Sequence, residues 1–214
     1  MTQIILIRHG EAEVNVRRIV GGPLGDTGLT ERGRREAERL CDRLTASREI
    51  KADVLLASSL PRARQTAAIV APALGIEPIV DDELQELRPG EADGLPLAEA
   101  FARYGLPDFE RDPARPVSPG GESWSTFMVR VGRALSRIWR AHEGRTIVAV
   151  THGGVIDGAF VSFLGLPIDR FLPVQFATRH TSLTRWQRRA RVGGGEGWSL
   201  LGFNDVAHLR DPAG

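Results

Sequence analysis

Two short aliphatic runs in this chain end on the same dipeptide. Ile4-Ile5-Leu6-Ile7 leads into Arg8-His9-Gly10, and Ile147-Val148-Ala149-Val150 leads through Thr151 into His152-Gly153-Gly154. Both runs are apolar at every residue instead of every second one, which fits strands covered on both faces, as in parallel sheets flanked by helices. Ligands of such sheets bind beyond the carboxyl ends of the strands. The echo therefore places His9 and His152 at one edge of one sheet.

The rest of the chain alternates helix and strand signals. Residues 11–28 read as a loop with one helical turn. A helix is expected over 31–48, capped by Thr30, with Ala37, Leu40, Cys41 and Leu44 forming its apolar stripe. A strand over 53–57 precedes a helix over 62–74, with Pro61 near its first position. A third strand is expected over 76–80. Residues 81–123 are punctuated by Pro and Gly and form a long excursion over the sheet edge, with a short helix near 97–104. Ser123 caps a helix that turns Phe127, Val131, Leu135 and Ile138 inward and is stopped by Gly144. A helix over 155–164 follows the second histidine, and 181–188 with 197–203 form a hairpin around Gly193-Gly194-Gly195. This order predicts a single α/β domain spanning 1–214, a three-layer sandwich with a mostly parallel central sheet and helices on both faces.

Composition excludes several classes. With 28 Lys+Arg against 27 Asp+Glu the net charge is +1, so no global field points to nucleic acid or a membrane surface. Cys41 is the single cysteine, which rules out a disulfide within the chain and gives no basis for a cysteine metal site. The most apolar stretch, 147–168, is broken by His152, Asp157 and several Gly, so no membrane span is expected. No basic-then-apolar leader precedes the first strand, and a cytoplasmic location is expected.

Arg8, His9, Arg62 and His152 are brought by three strand ends to one edge. Guanidinium cannot ligate a metal and repels one, but its forked donors match phosphate oxygens. Gly10, Gly153 and Gly154 allow close backbone approach, and a helix starting after residue 153 adds a favourable dipole. In such a cradle one imidazole can attack phosphorus while the other cationic groups stabilise the equatorial oxygens. The leaving alkoxide needs an acid. Position alone leaves Glu83, Glu86, Glu91 and Asp93 open, and Arg103, Arg111 and Arg115 are either solvated or available to a second negative group.

An ordered set of motifs carries a resemblance: Arg8-His9-Gly10-Glu11 with Asn15; Leu29-Thr30-Glu31-Arg32-Gly33; Ser58-Ser59-Leu60-Pro61-Arg62-Ala63-Arg64-Gln65-Thr66-Ala67; Leu84-Gln85-Glu86; Gly120-Gly121-Glu122-Ser123; and Thr151-His152-Gly153-Gly154. Together these resemble the phosphoglycerate mutase-like branch of the histidine phosphatase superfamily, its small phosphatases in particular. The resemblance implies that His9 becomes phosphorylated and that Arg8, Arg62 and His152 bind the phosphoryl group. It implies that Glu86 donates a proton and then activates water, and that Asn15, Gly21, Gly22 and Gly153 contact the substrate. Ala92-Asp93-Gly94 departs from the family's aromatic-acid-Gly, and His180 stands where Asn is common. The expected activity is metal-independent hydrolysis of a small phosphorylated metabolite, without cofactor, by a monomer or homodimer. A phosphoglycerate mutase and a non-catalytic phospho-ligand module are the alternatives.

Overall fold

The computed structural model describes residues 1–171, 174 and 176–210. Its elements are β1 (Thr2–Arg8), α1 (Glu13–Arg17), α2 (Glu31–Ser47), β2 (Val54–Ser58), α3 (Pro61–Leu74), β3 (Pro78–Asp81), α4 (Leu97–Tyr104), α5 (Trp124–Ala141), β4 (Thr146–Thr151), α6 (Gly153–Leu164), β5 (Leu183–Ala190) and β6 (Glu196–Asp205). The sheet order is β3-β2-β4-β1-β5-β6. β1, β2, β3 and β4 run parallel, and β5 joins β1 antiparallel.

Alternation along the central strands divides the core in two. Ile4, Leu6, Ile147 and Ala149 pack with Phe127, Val131, Leu135 and Ile138 of α5 and Ile156 and Phe160 of α6. Ile5, Ile7, Val148 and Val150 pack with Leu40 and Leu44 of α2 and Ala63, Ala67 and Val70 of α3. Each fully buried aliphatic side chain contributes about 1.5–3 kcal/mol, and only burial on both faces accounts for strands with no polar alternation. The three layers and the mostly parallel sheet are those anticipated. Register then positions the histidines. Arg8 lies opposite Thr151, so His9 and His152 leave neighbouring strands side by side.

Some details differ from expectation. The third strand starts at Pro78 rather than residue 76 and lies at the sheet edge, where Ile79 and Val80 stay exposed and a residue without N–H is tolerated. Cys41 is only partly buried, because the stripe of α2 runs through Ala37, Leu40 and Leu44 and leaves Cys41 on its margin. The last helix begins at Gly153, directly after His152, two residues before its expected start. Among the described residues no helix is long and apolar enough to cross a membrane.

Candidate active site

His9 continues β1 by donating its N–H to the Thr151 carbonyl at 2.9 Å. The turn after it rests directly on the start of α2: a Cβ on Gly10 would lie 2.4 Å from the Gly33 oxygen, and one on Gly33 would lie 1.9 Å from the Glu11 oxygen. That approach, closed to any residue with a side chain, fixes the imidazole. His9 Nδ1 lies 2.7 Å from the Gly10 carbonyl. A carbonyl only accepts, so Nδ1 carries the proton and Nε2 keeps its lone pair. Arg62 Nε donates to that lone pair at 3.1 Å. Burial first, then the Arg62 charge, holds the His9 imidazole well below its ordinary pKa, so the ring is neutral.

Arg62 occupies the first turn of α3, behind Pro61. Its Nη1 donates to Asp26 Oδ2 and to the Gly21 carbonyl, each at 2.9 Å, and its backbone N–H reaches the same Asp26 oxygen at 3.2 Å. Asp26 is 6% exposed and also accepts the Gly28 N–H. Sequence reasoning missed this residue, because nothing in a Gly-rich loop marks one acid as the partner of an arginine far along the chain. The carboxylate sets the plane of the guanidinium, and small displacements at a reacting centre can cost about 10²-fold. Asp26→Asn is expected to lower kcat/KM for p-nitrophenyl phosphate by about that factor. Unchanged steady-state kinetics in a folded variant would deny Asp26 this positioning role.

His152 is fully buried, with Nε2 2.8 Å from Ser58 Oγ and its ring centroid 5.1 Å from that of His9. Arg8 donates through Nη1 to the Thr178 carbonyl. Arg8 Nε and His152 Nδ1 are buried and have no hydrogen-bond partner among the described residues. His180 adds a third ring 5.7 Å from His9, with Nδ1 4.0 Å from Glu36 Oε2. His208 contacts Thr181 Oγ1 at 2.8 Å.

Burial is the main cause depressing all four of these imidazoles. Arg62 adds to it for His9 and His152, Arg8 for His180 and Arg43 for His208. His180 and His208 are brought down to about 4. Neutral when folded, these rings protonate once the chain unfolds. Their contribution to stability is therefore present above the unfolded value of about 6.5 and is lost as pH falls toward the folded values. Thermal melts stepped downward from about pH 7 should show Tm dropping steadily below about 6.5. A constant or rising Tm in that window would contradict the burial of neutral rings.

The four candidate acids separate by their partners. Asp93 accepts N–H groups from Gly22, Leu24 and Gly25 at 2.8–3.0 Å and clamps that loop to the excursion. Glu83 pairs with Arg88 at 2.9 Å, and Glu91 accepts from the Tyr104 hydroxyl at 3.3 Å. Glu86 alone of the four lines the hollow that holds His9. Its carboxylate accepts the Gly154 N–H at the start of α6 and the Leu87 N–H, both at 3.0 Å. A Cβ on Gly154 would lie 2.2 Å from Glu86 Oε1, so this glycine makes room for the carboxylate. Buried Arg130 braces the segment from behind: it grips Glu122 through two 2.7 Å hydrogen bonds and donates to the carbonyls of Glu83, Gln85 and Glu86. Asp157 on α6, also missed in the sequence, has its pKa raised to about 7, by burial first and then by the Glu86 charge.

The hollow encloses about 300 Å³, and Arg8, His9, Asn15, Gly21, Arg62 and Glu86 gather at its polar end. Gly22, Gly153 and His152 do not line it: the Gly22 N–H is turned to Asp93, and the buried His152 ring lies between Ser58 and His9. Gly153 begins α6 beside Arg8, where an added Cβ would lie 3.8 Å from Nε. A larger hollow of about 430 Å³ between α3 and β3, bordered by Pro61, Arg64 and Val80, holds neither imidazole nor carboxylate. Among the described residues, no three His, Cys, Asp or Glu side chains cluster as metal ligands.

A neutral imidazole whose Nε2 lone pair faces Arg62, set among guanidinium groups at the ends of parallel strands in a hollow also lined by a carboxyl group, defines a class of phosphoryl-transfer proteins. Residues 4–205 match the family model of the histidine phosphatase superfamily (branch 1), and the chain belongs to that family. It is 34% identical over 213 residues to phosphoserine phosphatase 1 of Hydrogenobacter thermophilus, covering 98% of this chain and 95% of that one. It is 32% identical over 219 residues to phosphoglycerate mutase-like protein 4 of Arabidopsis thaliana, covering 98% and 87%. Among solved structures, Bacillus stearothermophilus YhfR superposes with a TM-score of 0.78 at 29% identity, covering 98% of this chain and 100% of that one. The mycobacterial glucosyl-3-phosphoglycerate phosphatase in complex with VO3 superposes with a TM-score of 0.76 at 26% identity, covering 94% and 98%.

Proposed function

We propose that this protein hydrolyses phosphate monoesters of small metabolites, without a metal, through a phosphohistidine on His9. The observation that carries the reading is the lone pair of His9 Nε2, held by Arg62 at 3.1 Å in the hollow that Glu86 also lines. The ester's phosphoryl group takes the place of that lone pair as the partner of Arg62, and Arg8 and His152 share its equatorial oxygens. As the Nε2–P bond forms, the ester P–O bond breaks and Glu86 delivers its proton to the departing oxygen. Glu86 then takes a proton from water, whose oxygen attacks phosphorus as the N–P bond breaks, and inorganic phosphate leaves. Asn15 and Gly21, which line the hollow, and Gly153 beside Arg8 are assigned to substrate contact; Gly22, held by Asp93, is not.

Hydrolysis is favoured over mutase chemistry by the distribution of charge. A bisphosphate primer needs a second cationic cradle, whereas among the described lining residues Arg8 and Arg62 are the only guanidinium groups, and both stand at the phosphoryl end. The names of the similar proteins, phosphoserine and glucosyl-3-phosphoglycerate phosphatases as well as phosphoglycerate mutase-like proteins, agree on small phosphorylated metabolites as substrates and do not choose between the two chemistries. The test is release of inorganic phosphate from p-nitrophenyl phosphate in the presence of EDTA. Loss of activity on chelation would overturn the metal-independent reading. Interconversion of phosphoglycerates that depends on a bisphosphate primer, without net phosphate release, would make the protein a mutase.

A further inference from the structure

Apart from its polar residues, the lining of the hollow is apolar. Val14, Ile19 and Val20 come from the segment that begins with α1, and Leu87, Leu97 and Phe101 with small residues come from the excursion. The two segments are joined by backbone bonds: Val20 N–H to the Leu95 carbonyl, Gly94 N–H to the Val20 carbonyl and Leu97 N–H to the Arg18 carbonyl, each at 2.9 Å. With the Asp93 clamp on residues 22–25 added, this wall is preformed and needs no substrate to assemble it. None of the excursion's arginines lines the hollow, and Arg88 pairs with Glu83. Arg103 pairs with Glu99, Arg111 with Asp108, and Arg115 donates to the Tyr104 carbonyl.

Building on the phosphatase reading, we infer that the preferred substrates are monophosphates of uncharged, largely apolar alcohols, aliphatic or aromatic, and that this wall selects them against esters carrying a carboxylate or second phosphate. An anionic group pressed against Val14, Leu97 and Phe101 loses water and gains no donor. An apolar group gains about fourfold in transition-state binding for each methylene buried. Phe101 is 37% exposed at the rim, so it can be replaced there without emptying the core.

The experiment compares kcat/KM, in EDTA, for n-alkyl phosphates from ethyl to octyl, and for 3-phosphoglycerate and phosphoserine. Leaving-group basicity hardly changes along the alkyl series, so the slope reads the wall alone. The expected result is a rise of about 10²-fold from ethyl to hexyl phosphate, at about fourfold per methylene, levelling when the hollow is full. Both carboxylate esters should lie about tenfold or more below hexyl phosphate. Phe101→Arg should shift the ratio of 3-phosphoglycerate to hexyl phosphate turnover at least about tenfold toward the anion. A flat alkyl series, a preference for the carboxylate esters, or a ratio unmoved by Phe101→Arg would overturn this inference and leave the phosphatase reading intact. Failure to hydrolyse any ester would overturn both.

Discussion

His9→Ala is expected to lower phosphomonoester turnover by about 10⁴-fold or more, the scale on which loss of a nucleophile acts. Without Nε2, water must attack the ester directly, and the two-step route through a covalent intermediate is closed. Arg8, Arg62 and His152 remain, so the variant should still bind inorganic phosphate with an affinity within about tenfold of the parent, against an activity loss of about 5.5 kcal/mol in barrier. Activity loss alongside retained binding separates a missing nucleophile from a collapsed site. Retention of a tenth or more of the parent kcat by a folded His9→Ala variant would remove His9 from the chemistry.

The second large effect belongs to Glu86. Glu86→Gln keeps the shape of the side chain and an oxygen for the Gly154 N–H, but it removes the transferable proton. Alkoxides are poor leaving groups and need that proton, whereas p-nitrophenolate does not. For alkyl phosphates kcat/KM should fall by about 10²–10⁴-fold, and for p-nitrophenyl phosphate by less than about tenfold. Using kcat/KM confines the comparison to formation of the intermediate. In the proposed mechanism its breakdown also uses Glu86 as base, so the same variant should release a burst of p-nitrophenol equal to the enzyme concentration before slowing. Equal losses for both ester types would take the acid role away from Glu86.

What could be foreseen from residue order follows local physics. His9 and His152 were legible because unbroken apolar runs require a covered parallel sheet, and such sheets bind ligands beyond their strand ends. α2, α3 and α5 announced themselves through Thr30, Pro61 and Ser123 at their starts and through periodic apolar faces. The choice of Glu86 was not legible from spacing. It came from family resemblance, and its physical ground is the set of hydrogen bonds that occupy Asp93, Glu83 and Glu91 elsewhere. Asp26 behind Arg62 was invisible because that partner lies 36 residues away, and Arg130 because the carbonyls it braces lie 44 to 47 residues away. Asp157 looked like an interruption in an apolar helix. The apolar wall could not be read either, since it joins residues 14–20 to the excursion through contacts that leave no periodic trace.

The covalent intermediate is the most direct test of the account. The parent enzyme and Glu86→Gln would be mixed with p-nitrophenyl phosphate, quenched within milliseconds into alkali, where phosphoramidates survive, and mapped by peptide mass spectrometry. The account predicts one phosphoryl group on the peptide containing His9, more of it in Glu86→Gln, its loss on acidification and its absence in His9→Ala. A phosphoryl group on His152 or any other residue, or full turnover with no phosphoenzyme at any time, would contradict it.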